Sequence, residues 1–341
     1  MAYRAAVAGA SGYTGAELLR LLENHPGFST TVATSREFAG RKVPDVYPNL
    51  STDLTYTELD ESALRDADVA FLALPHGASM EIGARLARAG VAVIDLSADF
   101  RLKDAAAYPE WFGKEHTAPE ALADWVYGLP ELHRDEIKGA RAVANPGCYP
   151  TASILALAPL VAAGLIDPAT IIVSATSGVS GAGRKLTNDV HFSHVDANFK
   201  AYGLPRHKHT PEIEQELSAL SGSADVRITF IPHLAPMPRG LLATCVADLT
   251  SDADPAEAAR AMYAGEPFVR VLDGSLPETK YTLGSNRCVL GYARDDRTGR
   301  VVAVAALDNL GKGAAGQALQ NANLMLGMPE DDGLTGGGLY P

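Results

Sequence analysis

Cysteine is scarce in this 341-residue chain: there are three, Cys148, Cys245 and Cys288. An odd number, without short paired spacings and without a secretory leader pattern, fits reduced thiols in a cytoplasmic protein and excludes a disulfide framework. No Cys and His residues stand at zinc-ligand spacing, so no metal is expected. Long hydrophobic runs are missing too, and none approaches the length of a membrane span. Excess positive charge is also absent, with 29 Lys and Arg against 41 Asp and Glu and a formal net charge of −12. Nucleic acids and anionic membranes need a basic face, so neither is an expected partner. Small anionic substrates stay open, because a few local Arg and Lys residues serve those. There is no internal repeat and no low-complexity block.

What is present is enough chain for two domains with proper cores. Up to about residue 96, strand and helix signals alternate. Strand-like runs cover 5–8, 30–34, 69–74 and 91–96, with helical patterns at 16–22 and 79–89. This alternation predicts parallel βαβ units, hence an α/β, Rossmann-type doubly wound sheet. Residues 99–138 read as an excursion with short helices, after which 141–144 returns to strand and a helix runs over 150–160, bent near Pro159. Beyond 165 the strands lengthen (171–176, 226–231, 241–249, 268–272, 301–307), with helices at 210–220, capped by Thr210, and 254–263. That pattern predicts an α+β catalytic and oligomerisation domain with a mainly antiparallel sheet. A last helix over 313–326 returns to the first domain, giving expected domains 1–147 plus 311–341, and 148–310.

Gly9, Gly12 and Gly15 follow the first strand and open the first helix. Glycines there let the backbone approach a pyrophosphate, and the helix N-terminus supplies amides and partial positive charge. An NAD site usually ends its second strand with Asp or Glu, to bind the ribose diol. Here that place holds Thr34-Ser35-Arg36, with no acid before Glu37. A hydroxyl and a guanidinium suit a 2′-phosphate, which makes NADP(H) the expected cofactor.

Asn145-Pro146-Gly147-Cys148-Tyr149-Pro150-Thr151 places a cysteine at an expected helix start. Unpaired amides and the helix dipole favour a thiolate at such a position. Gly147 permits the sharp turn, and Pro150 fits the first helical turn. Cys245 and Cys288 lie in apolar strand-like runs and read as buried small hydrophobes. The densest histidine cluster is His207-Lys208-His209, and a neutral imidazole near a helix start suits proton transfer. His191, His194 and His233 compete for that role. A hydroxyl- and glycine-rich loop with Ser177 and Ser180, followed by Arg184 or Lys185, offers groups for an anion, and Arg239 offers another.

Several stretches together resemble the N-acetyl-gamma-glutamyl-phosphate reductase family, itself related to aspartate-semialdehyde dehydrogenase. They are Gly9-Ala10-Ser11-Gly12-Tyr13-Thr14-Gly15, Leu74-Pro75-His76-Gly77, the Cys148 motif, residues 207–214, residues 232–240 and residues 308–315. The resemblance spans essentially the whole chain. It implies NADPH-dependent reduction of a small acyl phosphate to a semialdehyde with release of phosphate, in arginine biosynthesis. It implies a Cys148 thioacyl intermediate, His207 as the proton-transferring residue and His209 as a substrate or orienting contact. Ser177, Ser180, Arg184, Arg239 and Asn145 would bind substrate. Gly9, Ser11, Gly12, Tyr13, Thr14, Gly15, Ser35, Arg36, Leu74, Pro75 and Asn309 would bind the cofactor. The assembly would be a homodimer or homotetramer. An aminoadipate phosphate on an acidic carrier protein is the nearest rival substrate, disfavoured by the lack of an obvious basic rim. A cysteine hydrolase or acyltransferase leaves the glycine turn unexplained. A catalytically silent NADP-sensing module is the third alternative.

Overall fold

The computed structural model describes residues 2–222 and 225–340. They form two compact units: the chain up to Pro146 with Ala314–Gly336, and Gly147–Gly313 with the tail from Gly337.

The first unit holds a six-stranded sheet. Its strands are β1 (Tyr3–Ala8), β2 (Phe28–Ala33), β3 (Val69–Leu72), β4 (Ala92–Asp95), β5 (Val126–Tyr127) and β6 (Ala142–Ala144), in the order β2-β1-β3-β4-β6-β5. Every neighbouring pair is parallel. The last four residues of β1 and all of β3 and β4 are buried, as expected where helices cover both faces of a parallel sheet. The helices are α1 (Tyr13–Glu23), α2 (Glu61–Arg65), α3 (Met80–Arg88), α4 (Ala107–Phe112), α5 (Pro130–Gly139) and, from the far end of the chain, α10 (Gly316–Met325). Gln317 and Asn321 of α10 are fully buried, and each donates to the Gly128 carbonyl at 2.9 Å. The two-residue β5 lies in the stretch read as short helices only, and is too brief to show a period.

The second unit contains a seven-stranded sheet of β7 (Ile172–Gly178), β8 (Lys200–Ala201), β9 (Thr229–Ala235), β10 (Leu241–Asp248), β11 (Val269–Val271), β12 (Cys288–Asp295) and β13 (Arg300–Leu307). The order is β11-β12-β13-β10-β7-β9-β8. Four neighbouring pairs are antiparallel, while β7–β9 and β11–β12 are parallel. Burial alternates along β10, so one face turns inward. Helix α6 (Cys148–Ala162) packs on that sheet, with α8 (Thr210–Ser221) and α9 (Pro255–Met262) beside it; the short α7 (Phe192–Val195) lies in the 179–204 connection. From Tyr149 to Val161 every residue of α6 is buried, which makes it the central core helix of this unit.

Several boundaries differ from the sequence reading. Helix α6 begins at Cys148, two residues before Pro150, and continues through Pro159. Thr210 is the first residue of α8, and His209 occupies the cap position. Strand β9 starts and ends later than 226–231, because Pro232 stays in the parallel ladder opposite Ala175. Residues Gly311–Ala315 form a π-helical turn ahead of α10. Gly147, residues 311–313 and the tail from Gly337 belong to the second unit rather than the first. Hydrogen bonds hold them there: Gly147 N–H reaches the Glu212 carboxylate, Gly313 N–H reaches the Asp308 carbonyl, and Leu339 N–H reaches the Leu283 carbonyl at 2.7 Å.

Candidate active site

In the second unit, Cys148 takes the first position of α6, where backbone N–H groups have no intrahelical acceptor. Gly147 is the extended cap residue (φ −71°, ψ 155°), and the Thr151 hydroxyl and N–H both donate to the Gly147 carbonyl at 2.9 Å. Pro150 has no N–H to lose in this turn. The sulfur-bearing residue is half-buried, whereas Cys245 and Cys288 are buried in strands. Burial pushes the Cys245 thiol up to about 12, the behaviour of an inert core cysteine. Backbone closes on Cys148 from another side, because a Cβ added at Gly313 would stand 2.8 Å from the Cys148 Cβ.

Around the start of α6 gathers a nest of rings. The Tyr149 ring lies 6.0 Å from His207, 5.9 Å from His209 and 5.4 Å from Phe230. Tyr202 and Phe230 approach His207 at 5.6 and 5.2 Å, and the two histidine rings are 4.9 Å apart. Burial, and next the Lys208 charge, lowers His207 to about 4, so the ring is neutral at physiological pH. Its Nδ1 accepts the His209 backbone N–H at 3.2 Å. The Tyr202 hydroxyl donates to Tyr149, which donates to the His233 carbonyl at 2.8 Å. Burial raises Tyr202 to about 12, with the Cys148 charge contributing, and raises Tyr149 further from similar causes. The thiol and both hydroxyls therefore share one electrostatic neighbourhood.

The other candidate histidines sit differently. His191 is exposed, bonded to the Ser193 hydroxyl, and near His194. His233 stacks on Phe199 at 5.0 Å, with Nδ1 3.4 Å from the Ala175 carbonyl. Of the anion-binding candidates, Ser177 is buried and donates to the Gly178 carbonyl at 3.0 Å, and bare Gly181 closes over its hydroxyl. Ser180 receives the Asn309 amide at 2.9 Å, while Asn309 Oδ1 accepts Gly240 N–H at 2.8 Å. Arg239 pairs through Nε with the fully buried Asp308 at 3.0 Å. The Asp308 carboxylate also takes the N–H groups of Gly284, Leu310 and Gly311, so it organises the whole turn. Arg184 is half-buried and Lys185 exposed.

Two residues here, Glu212 and Tyr202, escaped the sequence reading as parts of the site, and Gly313, in the segment 308–313 expected to flank the nicotinamide, was not expected against the cysteine. Glu212, nearly fully buried in the first turn of α8, accepts the Gly147 N–H at 2.8 Å. Tyr202 joins the ring nest, and Gly313 lies against Cys148. Glu212 carried a signal in its place three residues after His209, within a quoted motif. Tyr202 carried none.

The glycine turn of the first unit has the form a dinucleotide needs. Gly9 adopts φ +77°, and a Cβ there would meet the Ala73 carbonyl at 2.3 Å. A Cβ at Gly15 would come within 2.5 Å of the Gly9 carbonyl, whereas at Gly12 nothing lies closer than 3.5 Å. Gly12 caps α1 without any side-chain bond, so the helix start offers amide donors to a phosphate. Tyr13 is exposed and Thr14 half-buried beside it. Ser11 and Ser35 share a hydroxyl bond of 2.7 Å, and Gly9 N–H bonds the Thr34 hydroxyl at 3.1 Å, which ties the turn to the end of β2. Arg36 follows, exposed. After β3, Leu74 is half-buried and Pro75 exposed, and Asp99 pins the loop by accepting Gly77 N–H at 2.6 Å and Ser79 N–H at 2.9 Å. Asn145 belongs to this unit, where its amide donates to the Ala314 carbonyl and it accepts from Asn321, each at 3.1 Å. The uncapped helix start and glycine cradle fit a pyrophosphate. Among the described residues, no group of three or more His, Cys, Asp or Glu is placed to hold a metal ion, and no helix is long and apolar enough to cross a membrane.

Residues 4–140 match the model of the semialdehyde dehydrogenase NAD binding domain, and 148–309 that of the semialdehyde dehydrogenase dimerisation domain. The chain is 52% identical over 348 residues to the N-acetyl-gamma-glutamyl-phosphate reductase of Pelotomaculum thermopropionicum, covering all of both chains. It is 50% identical over 349 residues to the enzyme of that name from Symbiobacterium thermophilum, again over both full lengths. Among solved structures, aspartate semialdehyde dehydrogenase II of Vibrio cholerae superposes with a TM-score of 0.74 at 18% identity, covering 96% of this chain and 99% of that one. At that identity the likeness concerns the fold.

Proposed function

Because the chain belongs to the semialdehyde dehydrogenase family, among its N-acetyl-gamma-glutamyl-phosphate reductases, we propose that it reduces N-acetyl-gamma-glutamyl phosphate to the 5-semialdehyde through a Cys148 thioester. The enzyme is an NADP-dependent oxidoreductase. The reading places it in the cytoplasm, in arginine biosynthesis, as a homodimer or homotetramer. One observation carries the chemistry: a half-buried cysteine at a helix start, with Gly313 closing against it and the next residue, Tyr149, packed in a nest of rings that includes His207, which Tyr202 also approaches.

Cys148 enters as a thiolate, its proton released to water. Its sulfur bonds the acyl carbon, and the C–O bond to phosphate breaks with that electron pair leaving on phosphate, which takes a proton from water. Bound NADPH supplies the hydride for the second half of the reaction. The C–S bond then breaks, the pair returns to sulfur and the semialdehyde leaves. A thiolate serves both halves, as nucleophile and as leaving group. Ser177, Ser180, Arg184 and Arg239 are assigned to the phosphate and carboxylate, with His209 and Asn145 as further substrate contacts. The amides at the start of α1, with Gly9, Ser11, Gly12, Tyr13, Thr14 and Gly15, are assigned to the pyrophosphate. Ser35 and Arg36 are assigned to the 2′-phosphate, and Leu74, Pro75 and Asn309 to the nicotinamide half.

The test follows NADP reduction with N-acetylglutamate semialdehyde, with and without phosphate, in wild-type and Cys148→Ser protein. Phosphate-dependent turnover that disappears in the variant supports the reading. NADP bound without such turnover moves the substrate elsewhere, and no NADP binding removes the oxidoreductase altogether.

A further inference from the structure

The sheet order of the first unit, β2-β1-β3-β4-β6-β5, reverses direction between β1 and β3, and a ligand crevice opens there beyond the C-terminal ends of those strands. One wall is the glycine turn after β1. The other is the loop 73–79 that leads from β3 to α3. The two walls touch, because a Cβ on Gly9 would collide with the Ala73 carbonyl and stand 3.5 Å from Leu74 Cδ2. The glycine turn draws its own bonds from the end of β2, through Thr34 and Ser35. The second wall is held from a different strand. Ser79, the cap residue of α3, makes no side-chain bond to the helix start. Instead Asp99, from the loop after β4, divides its two carboxylate oxygens between Gly77 N–H at 2.6 Å and Ser79 N–H at 2.9 Å. Ala98 N–H bonds His76 Nδ1 at 3.0 Å, and Lys114 Nζ bonds the His76 carbonyl at 2.9 Å. Gly77, at φ +86°, leaves room for that lysine, since a Cβ there would collide with Nζ.

Asp99 is itself fixed before any ligand arrives. It is buried, its N–H donates to the Ser97 hydroxyl at 3.0 Å, and its carbonyl receives the Tyr108 hydroxyl at 2.7 Å and His116 Nε2 at 2.6 Å. Tyr108 and His116 are buried too, so the Asp99 backbone is clamped by a packed shell. Two amide donors at the approach to a helix offset the cost of burying the carboxylate. Resting on the NADP reading above, we propose that Asp99 is a positioning residue for hydride transfer. It presets the 74–79 loop as the wall against the nicotinamide half, while the glycine turn and Arg36 hold the adenine half independently of it. Hydride transfer depends steeply on the distance and orientation of the reacting carbon, and a wall ordered before binding fixes both.

The test compares wild-type, Asp99→Asn and Lys114→Met protein. Asp99→Asn keeps the shape but turns an amino group on one of the two amides. Lys114→Met removes only the exposed strap across the loop and leaves the core untouched, so the affinity ratio below is read whether or not the first variant folds. Hydrogen exchange in the cofactor-free protein should find the Gly77 and Ser79 amides protected in the wild type and faster in Asp99→Asn. By calorimetry, 2′,5′-ADP, which carries the adenine half with its 2′-phosphate, should bind all the proteins within about twofold. NADPH should bind Asp99→Asn about tenfold more weakly, and Lys114→Met about two- to fivefold more weakly. In turnover, Asp99→Asn should lose kcat by roughly 10²-fold, with a larger isotope effect from NADPH deuterated at the transferred hydrogen. NADPH and 2′,5′-ADP weakened alike, unchanged loop exchange, or an unchanged isotope effect overturns the role of Asp99. A wild type that binds neither nucleotide overturns the NADP reading and this role together, whereas wild-type binding with both nucleotides weakened alike in the variants removes this role alone.

Discussion

The Glu212 carboxylate accepts the backbone N–H of Gly147 at 2.8 Å, one residue before the candidate nucleophile Cys148. A nearly fully buried acid thus fixes the entry to α6 while placing negative charge beside a prospective thiolate. Glu212→Ala leaves that N–H buried without its acceptor, at a cost of about 1–3 kcal/mol. Glu212→Gln keeps an acceptor and removes the charge. The alanine variant should show a lowered Tm and strongly reduced kcat/KM. The glutamine variant should fold normally, with iodoacetamide modification of Cys148 shifted to lower pH. An unshifted alkylation profile would separate the charge from the thiol.

Arg36 stands exposed immediately after the buried Thr34 and Ser35 at the end of β2. A guanidinium paired with a phosphate contributes on the order of 1–3 kcal/mol. Arg36→Ala should therefore weaken NADPH binding by about tenfold or more and leave NADH binding nearly unchanged. Titration of nucleotide fluorescence for both cofactors checks this. Equal weakening of the two would move the 2′-phosphate contact to another residue.

Gly313→Ala inserts a methyl group 2.8 Å from the Cys148 Cβ. Overpacking of this kind costs about 1–3 kcal/mol and displaces its neighbours. The expected variant is folded, with a modestly reduced Tm, a much lower kcat and slower alkylation of Cys148. Unchanged alkylation with unchanged kcat would place the backbone of this turn away from the thiol in solution.

Burial, and next the charge of Asp99, push Asp95 up to about 7. An unfolded aspartate titrates near ~3.9. Between those values the native protein holds a proton that the unfolded chain has released, so this group lowers stability as pH rises through the window, with no further change above it. Asp95→Asn removes that dependence. Its Tm should exceed that of the wild type at pH 8, and the difference should shrink towards pH 4–5 in thermal melts. A difference independent of pH would mean that Asp95 ionises normally.

The elements that were readable in the sequence are those whose signal is local. The run Ala5-Ala6-Val7-Ala8 is small and apolar because β1 is covered on both faces, and its burial is complete. The cysteine at a helix start was legible because Gly147 and Pro150 constrain the backbone themselves. Residues whose roles depend on distant partners were not. Glu212 meets Gly147 across 65 positions, and Asp308 meets Arg239 across 69, with nothing local to mark either pairing. The residues alone did not choose among the histidines, and His207 was preferred only through the resemblance; the bond from His209 N–H to its Nδ1 is one that only the folded loop creates. Thr210 misled for a local reason: it is a good capping residue, yet the helix starts on it and His209 takes the cap.

Because Gln317 and Asn321 of α10 satisfy the Gly128 carbonyl inside the first unit, that unit draws on chain made last. During synthesis the strands β1 to β6 leave the ribosome long before α10 does. Until then Gly128 lacks both of these donors, and the apolar surface that α10 later covers stays open to water. The second unit, emerging in the interval, is therefore able to complete its sheet first. For this chain, the sheet begun first is the one whose covering helix is made last.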